Sequence, residues 1–297
     1  MPKEFTHWTL AELGYRAMPD SSLKGVIEEN KALYELGAVC FDSPYYTTGP
    51  AKPVWVDIAT RLHFTESGNS FTPLVRLLEI GQSIGDNRVW ALLAGCVSHI
   101  IADSRFHPLV YTVTGDLNDP DPNRKRAAEI GHRRFEAALD LYILETVEVD
   151  LGNPKAALFP FNPSDRKKIT AWLAGLYEKN DPAAVEAALR NHARFLGYFQ
   201  SRSGYWGLKT VNTLSGGRFD LELALCYPAV SQTDLAAFAR PFEMTDPDTG
   251  ALRLETIPAL IEQVIHDVLA VYAAMGKPGE SETAIQYFSQ NRGPVLA

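Results

Sequence analysis

The run Gly95-Cys96-Val97-Ser98-His99-Ile100-Ile101-Ala102-Asp103-Ser104-Arg105-Phe106-His107-Pro108 limits what this chain can fold into more than any other stretch. His99, Asp103 and His107 stand at i, i+4 and i+8. At about 100° per residue they fall within roughly an 80° arc of one helical face. The residues between them, Val97, Ile100, Ile101 and Phe106, are apolar, so a polar stripe runs along a helix otherwise fit for burial. Buried carboxylates and imidazoles need partners, and a divalent cation satisfies several at once. Pro108 is expected to end the helix. His132-Arg133-Arg134-Phe135-Glu136 repeats the design with an imidazole and a carboxylate at i and i+4. Two helices that present ligand stripes to each other are how a bundle builds a metal site in its core. A lone His–Asp or His–Glu pair at this spacing is most often hydrogen-bonded or solvated. Five such groups on two adjacent helices are not readily explained that way.

The chain has 297 residues, of which 46% are hydrophobic and 22% charged, enough to bury a sizeable core without disulfides. The expected organisation is a metal-binding helical core over residues 1–150 and a helical region over 151–297 packed on it, as two parts or as one domain. The net charge of -8 speaks against a general nucleic-acid footprint. Cys40, Cys96 and Cys226 are odd in number, widely spaced and without a C-x-x-C, so they read as small core residues. Met1-Pro2-Lys3-Glu4-Phe5-Thr6-His7 has no apolar signal-peptide region, and no run of eighteen apolar residues occurs. A cytoplasmic protein without a membrane span is expected, and a homo-oligomer only as the generic case.

Apolar residues recur at helical spacing through most of the chain, and few segments alternate with period two. The expected class is therefore all-α. Thr6 reads as a helix cap, Ala38–Tyr46 as a loop, and Trp55–Leu62 as a short extended or helical piece. The central helix spans about Arg88 to His107, with a loop over 109–123 and a second ligand helix from about Asn123 into Val147. Tyr205-Trp206-Gly207 reads as loop, Asp246–Gly250 as a turn, and Ser231 or Thr233 as a cap. A long amphipathic helix is expected over Glu255–Met275.

In chain order, the candidate ligands are His7, Asp42, His63, His99, Asp103, His107, His132 and Glu136. With Thr6-His7, Gly37–Asp42, His63, the H-x-x-x-D-x-x-x-H-P run and H-x-x-x-E, this series resembles the zinc-dependent phospholipase C family, whose fold the S1/P1-type nucleases share. The resemblance covers about residues 1 to 145. It implies an all-helical bundle holding two or three zinc ions, other divalent metals being possible. Asp42, His63, His99 and Asp103 would bind one metal, and His107, His132 and Glu136 a second. His7 and Asp103 would bind a third, with Asp103 bridging. In secreted members the third metal also takes the terminal amine and carbonyl of a tryptophan. This chain begins Met1-Pro2 instead, with Pro2 the group that would stand in.

The resemblance further implies hydrolysis of a phosphodiester or phospholipid, with Asp42 both ligand and base for the attacking water. Partners for the outer ring nitrogens of the ligands would come from Asp57, Glu66, Ser98, Asp140 or backbone carbonyls. Tyr45, Tyr46, Trp55 and Phe64 are either pocket or packing aromatics, and His192 and His266 read as structural or surface residues. An S1/P1-like nuclease is the enzymatic alternative, and a helical protein with a structural or sensing metal is the non-catalytic one. A haem or di-iron bundle is the weaker third reading.

Overall fold

The computed structural model describes residues 3–291 and 293, apart from 66–67, 154–155, 157, 159–160, 180, 228–234 and 247–248. Pro2, Glu66, Ser231 and Thr233 therefore lie outside the described residues. Among the described residues the chain is all-α except for one two-stranded hairpin.

Helix α6 (Val89–Thr114) is the axis of the molecule. From Val89 to Val110 every residue but Arg105 is buried, which is why the sequence there is apolar all round apart from its stripe. Around it pack α1 (Glu4–Ala17), α2 (Ser22–Glu29), α3 (Lys31–Gly37), α5 (Thr72–Ile84) and α7 (Pro122–Thr146). A short 3-10 turn at Ser43–Tyr46 leads toward α4 (Lys52–His63). Helices α8 (Pro163–Leu176), α9 (Pro182–Gln200), α10 (Arg202–Leu214) and α11 (Asp220–Ala224) follow. The hairpin pairs β1 (Phe242–Thr245) with β2 (Leu252–Glu255), Phe242 opposite Glu255 and Thr245 opposite Leu252. Helices α12 (Ile257–Ala274) and α13 (Ser281–Gln290) close the chain.

Helices α6 and α12 are long and apolar enough to cross a membrane, with hydropathies of 1.2 and 1.4. Helix α6 is buried as the core helix, whereas α12 buries one face. Helix α12 lies against α1 and α6 through Leu260, Val264, Val268 and Tyr272, and turns Glu262 and His266 outward.

Two glycines set the closest crossing. A Cβ on Gly37 of α3 would lie 2.2 Å from the Leu92 carbonyl oxygen, and one on Gly95 of α6 2.1 Å from that of Tyr34. Only hydrogen fits at either position. The crossing brings Ala38 beneath His99 and sets Cys40 Sγ 3.6 Å from Cys96 Sγ, in keeping with their reading as core residues.

Several expectations are corrected. Pro108 does not end α6, which runs on to Thr114. A proline inside a helix forfeits one hydrogen bond to residue i−4, and burial of Leu109 and Val110 holds the next turn in place. Thr6 is not a cap but lies inside α1. The amides of Phe5 and Thr6 are instead capped from a distance by Asp140 of α7, at 3.2 and 2.8 Å, and Asp140 also accepts the Thr6 hydroxyl at 2.6 Å. Tyr205, Trp206 and Gly207 are helical because Ser201 caps α10, accepting the Gly204 amide at 3.1 Å. The turn at Asp246–Gly250 joins β1 to β2, so the last long helix starts at Ile257.

Candidate metal centre

The first helices and α6 converge on one buried point. His7 comes from α1, Asp42 from the turn after α3, and His63 is the last residue of α4. His99, Asp103 and His107 come from α6, and His132 and Glu136 from α7. All eight side chains are buried. They fall into three groups whose ligand atoms lie within 4.8 Å of one another: His7, His99 and Asp103; Asp42, His63 and His99; His107, His132 and Glu136.

Asp103 sits in the middle. Its Oδ1 lies 3.3 Å from His7 Nε2 and 3.9 Å from His107 Nε2, and its Oδ2 lies 3.4 Å from His99 Nε2 and 3.5 Å from His63 Nε2. None of these contacts has hydrogen-bond geometry, so both oxygens are buried and unsatisfied. The same holds for Asp42 Oδ1 and for both ring nitrogens of His7 and of His107. Buried polar groups rarely stay unpaired. A set of N and O donors aimed at shared points instead of at each other fits divalent metal of the zinc type.

The tautomers sharpen the fit. His63 Nδ1 lies 2.7 Å from the Ala59 carbonyl oxygen, and His99 Nδ1 lies 2.9 Å from that of Ala38. Each Nδ1 must therefore carry its hydrogen, which leaves a lone pair on each Nε2. Those two Nε2 atoms face each other at 3.1 Å. Two lone pairs repel unless a cation lies with them. Without a metal that cation is a proton. Burial alone would lower the His99 pKa, but the Asp103 and Asp42 carboxylates outweigh it and hold it at about 9. Burial also resists ionisation of Asp103, yet the charge on His99 keeps its carboxyl well below the usual range. Burial pushes His7 and His107 down, so both rings present lone pairs. Glu136 is held low against burial by His132, whose Nε2 lies 2.8 Å from its Oε1.

The centre lies at the base of a cavity of about 470 Å³ lined by Asp42, His63, His107, His132 and Glu136. Tyr45, Tyr46 and Phe64 line it too, whereas Trp55 is a packing residue, edge-on to Tyr177. Tyr111 and Leu117 bring the segment between His107 and His132 onto its wall.

Of the proposed outer partners of the rings, the backbone carbonyls take His63 and His99. Asp140 caps α1 instead, and Asp57 is an exposed partner of Arg61 at 3.2 Å. The Ser98 hydroxyl finds no partner. His266 is a surface residue as expected, but His192 is fully buried beside the cavity. Its Nδ1 meets Ser43 Oγ at 3.0 Å, its Nε2 meets Glu4 Oε1 at 3.0 Å, and its ring stacks on Tyr46 at 4.0 Å. Sequence reasoning missed Glu4, Lys3 and Arg133 on the cavity wall and Ser43 as the partner of His192. Only Glu4 carried a signal, three residues before His7 on the same helix.

The family model described as zinc dependent phospholipase C matches residues 6–191. The chain belongs to the zinc-dependent phospholipase C family. The match takes in all eight candidate residues and runs on through α8 into α9, ending just before His192. Comparisons with curated proteins and with solved structures return no match. Zinc-dependent phospholipases C are metal-dependent hydrolases of phosphoric esters, and the donor set described above suits that metal.

Proposed function

We propose that this member of the family hydrolyses a phospholipid or related phosphodiester by water attack at phosphorus, with two or three zinc ions held by His7, Asp42, His63, His99, Asp103, His107, His132 and Glu136. The observation that carries the reading is the pair of facing Nε2 lone pairs on His63 and His99 above the unsatisfied Asp103 carboxylate, at the base of an open cavity. When bound, zinc would lower the pKa of a coordinated water and neutralise phosphoryl charge.

The chain's own groups do the rest. Asp42 lines the cavity, its buried Oδ1 lies 3.4 Å from His63 Nε2 without a hydrogen bond, and the carboxylate would accept a proton from the attacking water. Lys3, Lys52 and Arg133 on the cavity wall offer positive charge to the phosphate. The Arg133 guanidinium is steadied by donating to the Leu221 carbonyl at 3.1 Å. Glu4 is held ionised against burial by His192, Lys3 and Tyr46, and keeps Oε2 without a partner beside the Tyr46 ring.

The test is elemental analysis of protein purified without a metal-affinity step, beside the double variant His99→Ala/Asp103→Ala. It is paired with hydrolysis assays on phosphodiesters, phospholipids and single-stranded oligonucleotides. Two or three zinc ions per chain, lost in the variant together with phosphodiester turnover, is the expected result. Less than one ion, unchanged by the substitutions, would sink the metal centre.

A further inference from the structure

Helix α10 carries its apolar residues on the outside. Tyr205 and Asn212 point inward and are buried. On the opposite face Trp206, Val211 and Leu214 share roughly a 140° arc with Gly207 and Thr210. Leu214 is 83% exposed and Trp206 57%, so neither is a core residue at the edge of its packing. Among the described residues no neighbour covers this face, and Trp206, Val211 and Leu214 stay exposed.

The charge around the stripe indicates its occupant. From Arg202 to Arg218 the chain has three cations, Arg202, Lys209 and Arg218, and no acid, within a protein of net charge -8. All three are exposed. Lys209 Nζ stands 4.8 Å over the Trp206 ring, an ammonium beside an indole at the border of the stripe. Arg126 of α7 lies behind, donating to the Gly217 carbonyl at 3.0 Å and pairing with Asp220 at 3.6 Å. A helix with tryptophan and leucine on one face and lysine and arginine along its border is built to lie in a lipid–water interface, and the local excess of positive charge selects an anionic one. A second exposed apolar pair, Leu252 and Leu254 on β2, faces Thr245 and Glu243 across the hairpin, and the Arg253 between them is paired with Asp246 and Glu255.

Position links the face to the cavity. Asn212 holds α11 from within: its Nδ2 donates to Asp220 Oδ1 at 2.8 Å and its Oδ1 accepts the Phe219 amide at 2.7 Å. Glu222 of α11 and Leu225 just after it form part of the cavity wall. The outer helix and that wall are therefore one braced unit. We propose that the outer face of α10 docks the protein on an anionic phospholipid bilayer, with Trp206, Val211 and Leu214 entering the interface and Arg202, Lys209 and Arg218 meeting the head groups. Its purpose, delivery of lipid to the cavity, rests on the phospholipase reading above. The docking itself does not require turnover.

The experiment is co-sedimentation of the full chain with vesicles of phosphatidylcholine, with and without phosphatidylserine, beside Trp206→Ala/Leu214→Ala, Lys209→Glu/Arg218→Glu and the control Leu252→Ser/Leu254→Ser. All substituted residues are on the surface, and far-UV circular dichroism verifies the fold of each variant. Wild type and control should bind the phosphatidylserine vesicles and release as salt rises. The two α10 variants should bind at least about tenfold more weakly while hydrolysing a water-soluble phosphodiester as wild type does. Absence of vesicle binding by the wild type, or equal binding by all variants, overturns the proposal. So does a wild-type dimer that Trp206→Ala/Leu214→Ala converts to monomer without any vesicle binding, which would assign the face to a second copy. Vesicle binding lost in the α10 variants alongside no phosphodiester turnover in any protein would support docking and remove only the hydrolase reading.

Discussion

Asp103 has four imidazole nitrogens within 3.9 Å and no hydrogen bond to either oxygen. Substitution by asparagine keeps the shape and removes the charge. Zinc at a thousandfold excess over its Kd stabilises a folded protein by about 4 kcal/mol. Thermal denaturation with and without zinc should show such a shift in the wild type and less than about 1 kcal/mol in Asp103→Asn. Asp140 supports a second prediction. Burial, with the Glu4 charge adding to it, raises its carboxyl from 3.8 to about 6 despite its hydrogen bonds. The folded state thus holds this proton more tightly than the unfolded chain does. Its contribution to stability is present below about pH 4 and lost as pH rises through about 6. The urea midpoint of the wild type relative to that of Asp140→Asn should fall as pH rises from about 4 to 7. Glu4, whose pKa is lowered, acts in the opposite sense only at lower pH. The residues of the centre were legible because helical spacing turns i, i+4 and i+8 into geometry. The carbonyls of Ala38 and Ala59 were not, since a backbone acceptor has no sequence signature. Nor was the setting of His192, whose partners lie 149 and 188 residues away in the chain.

At the level of elements, the tight crossing of α3 and α6 carries the most information. Gly95→Ala would drive a methyl group into the Tyr34 carbonyl at 2.1 Å. Separating the two helices would also pull Ala38 away from His99 Nδ1, which it now meets at 2.9 Å. The expected result is a loss of about 1–3 kcal/mol in chemical denaturation, with zinc content reduced although no candidate ligand has changed. Gly25→Ala, where nothing lies within 4 Å of the added carbon, is the neutral control for zinc content. The period of apolar residues revealed the helices well, and it failed where a tertiary force overrode a local signal. Burial of Leu109 and Val110 carried α6 through Pro108, and a remote carboxylate replaced the local cap of α1. The hairpin was missed because each strand is only four residues long, too short for an alternation to stand out.

Taken as a whole, the molecule builds its centre from the first half of the chain and braces it with the second. Tyr177 donates to the Cys40 carbonyl at 2.6 Å, two residues before Asp42, and His192 holds Ser43, one residue after it. Phe195 and Phe199 complete the cavity wall, and α12 packs on α6. Unfolding followed by tryptophan fluorescence and by far-UV circular dichroism should therefore trace one coincident transition. A fragment ending at residue 150 should retain no zinc. The layout also has a kinetic consequence. His107, His132 and Glu136 open onto the cavity, whereas His7, His99 and Asp103 lie behind them, inside the packing of α1 against α6. A chelator added to zinc-loaded protein would reach the outer group through the mouth and strip it quickly. The inner group would surrender its ion only as often as the helices around α6 part, so the time course of zinc release should resolve into a fast phase and a slow one.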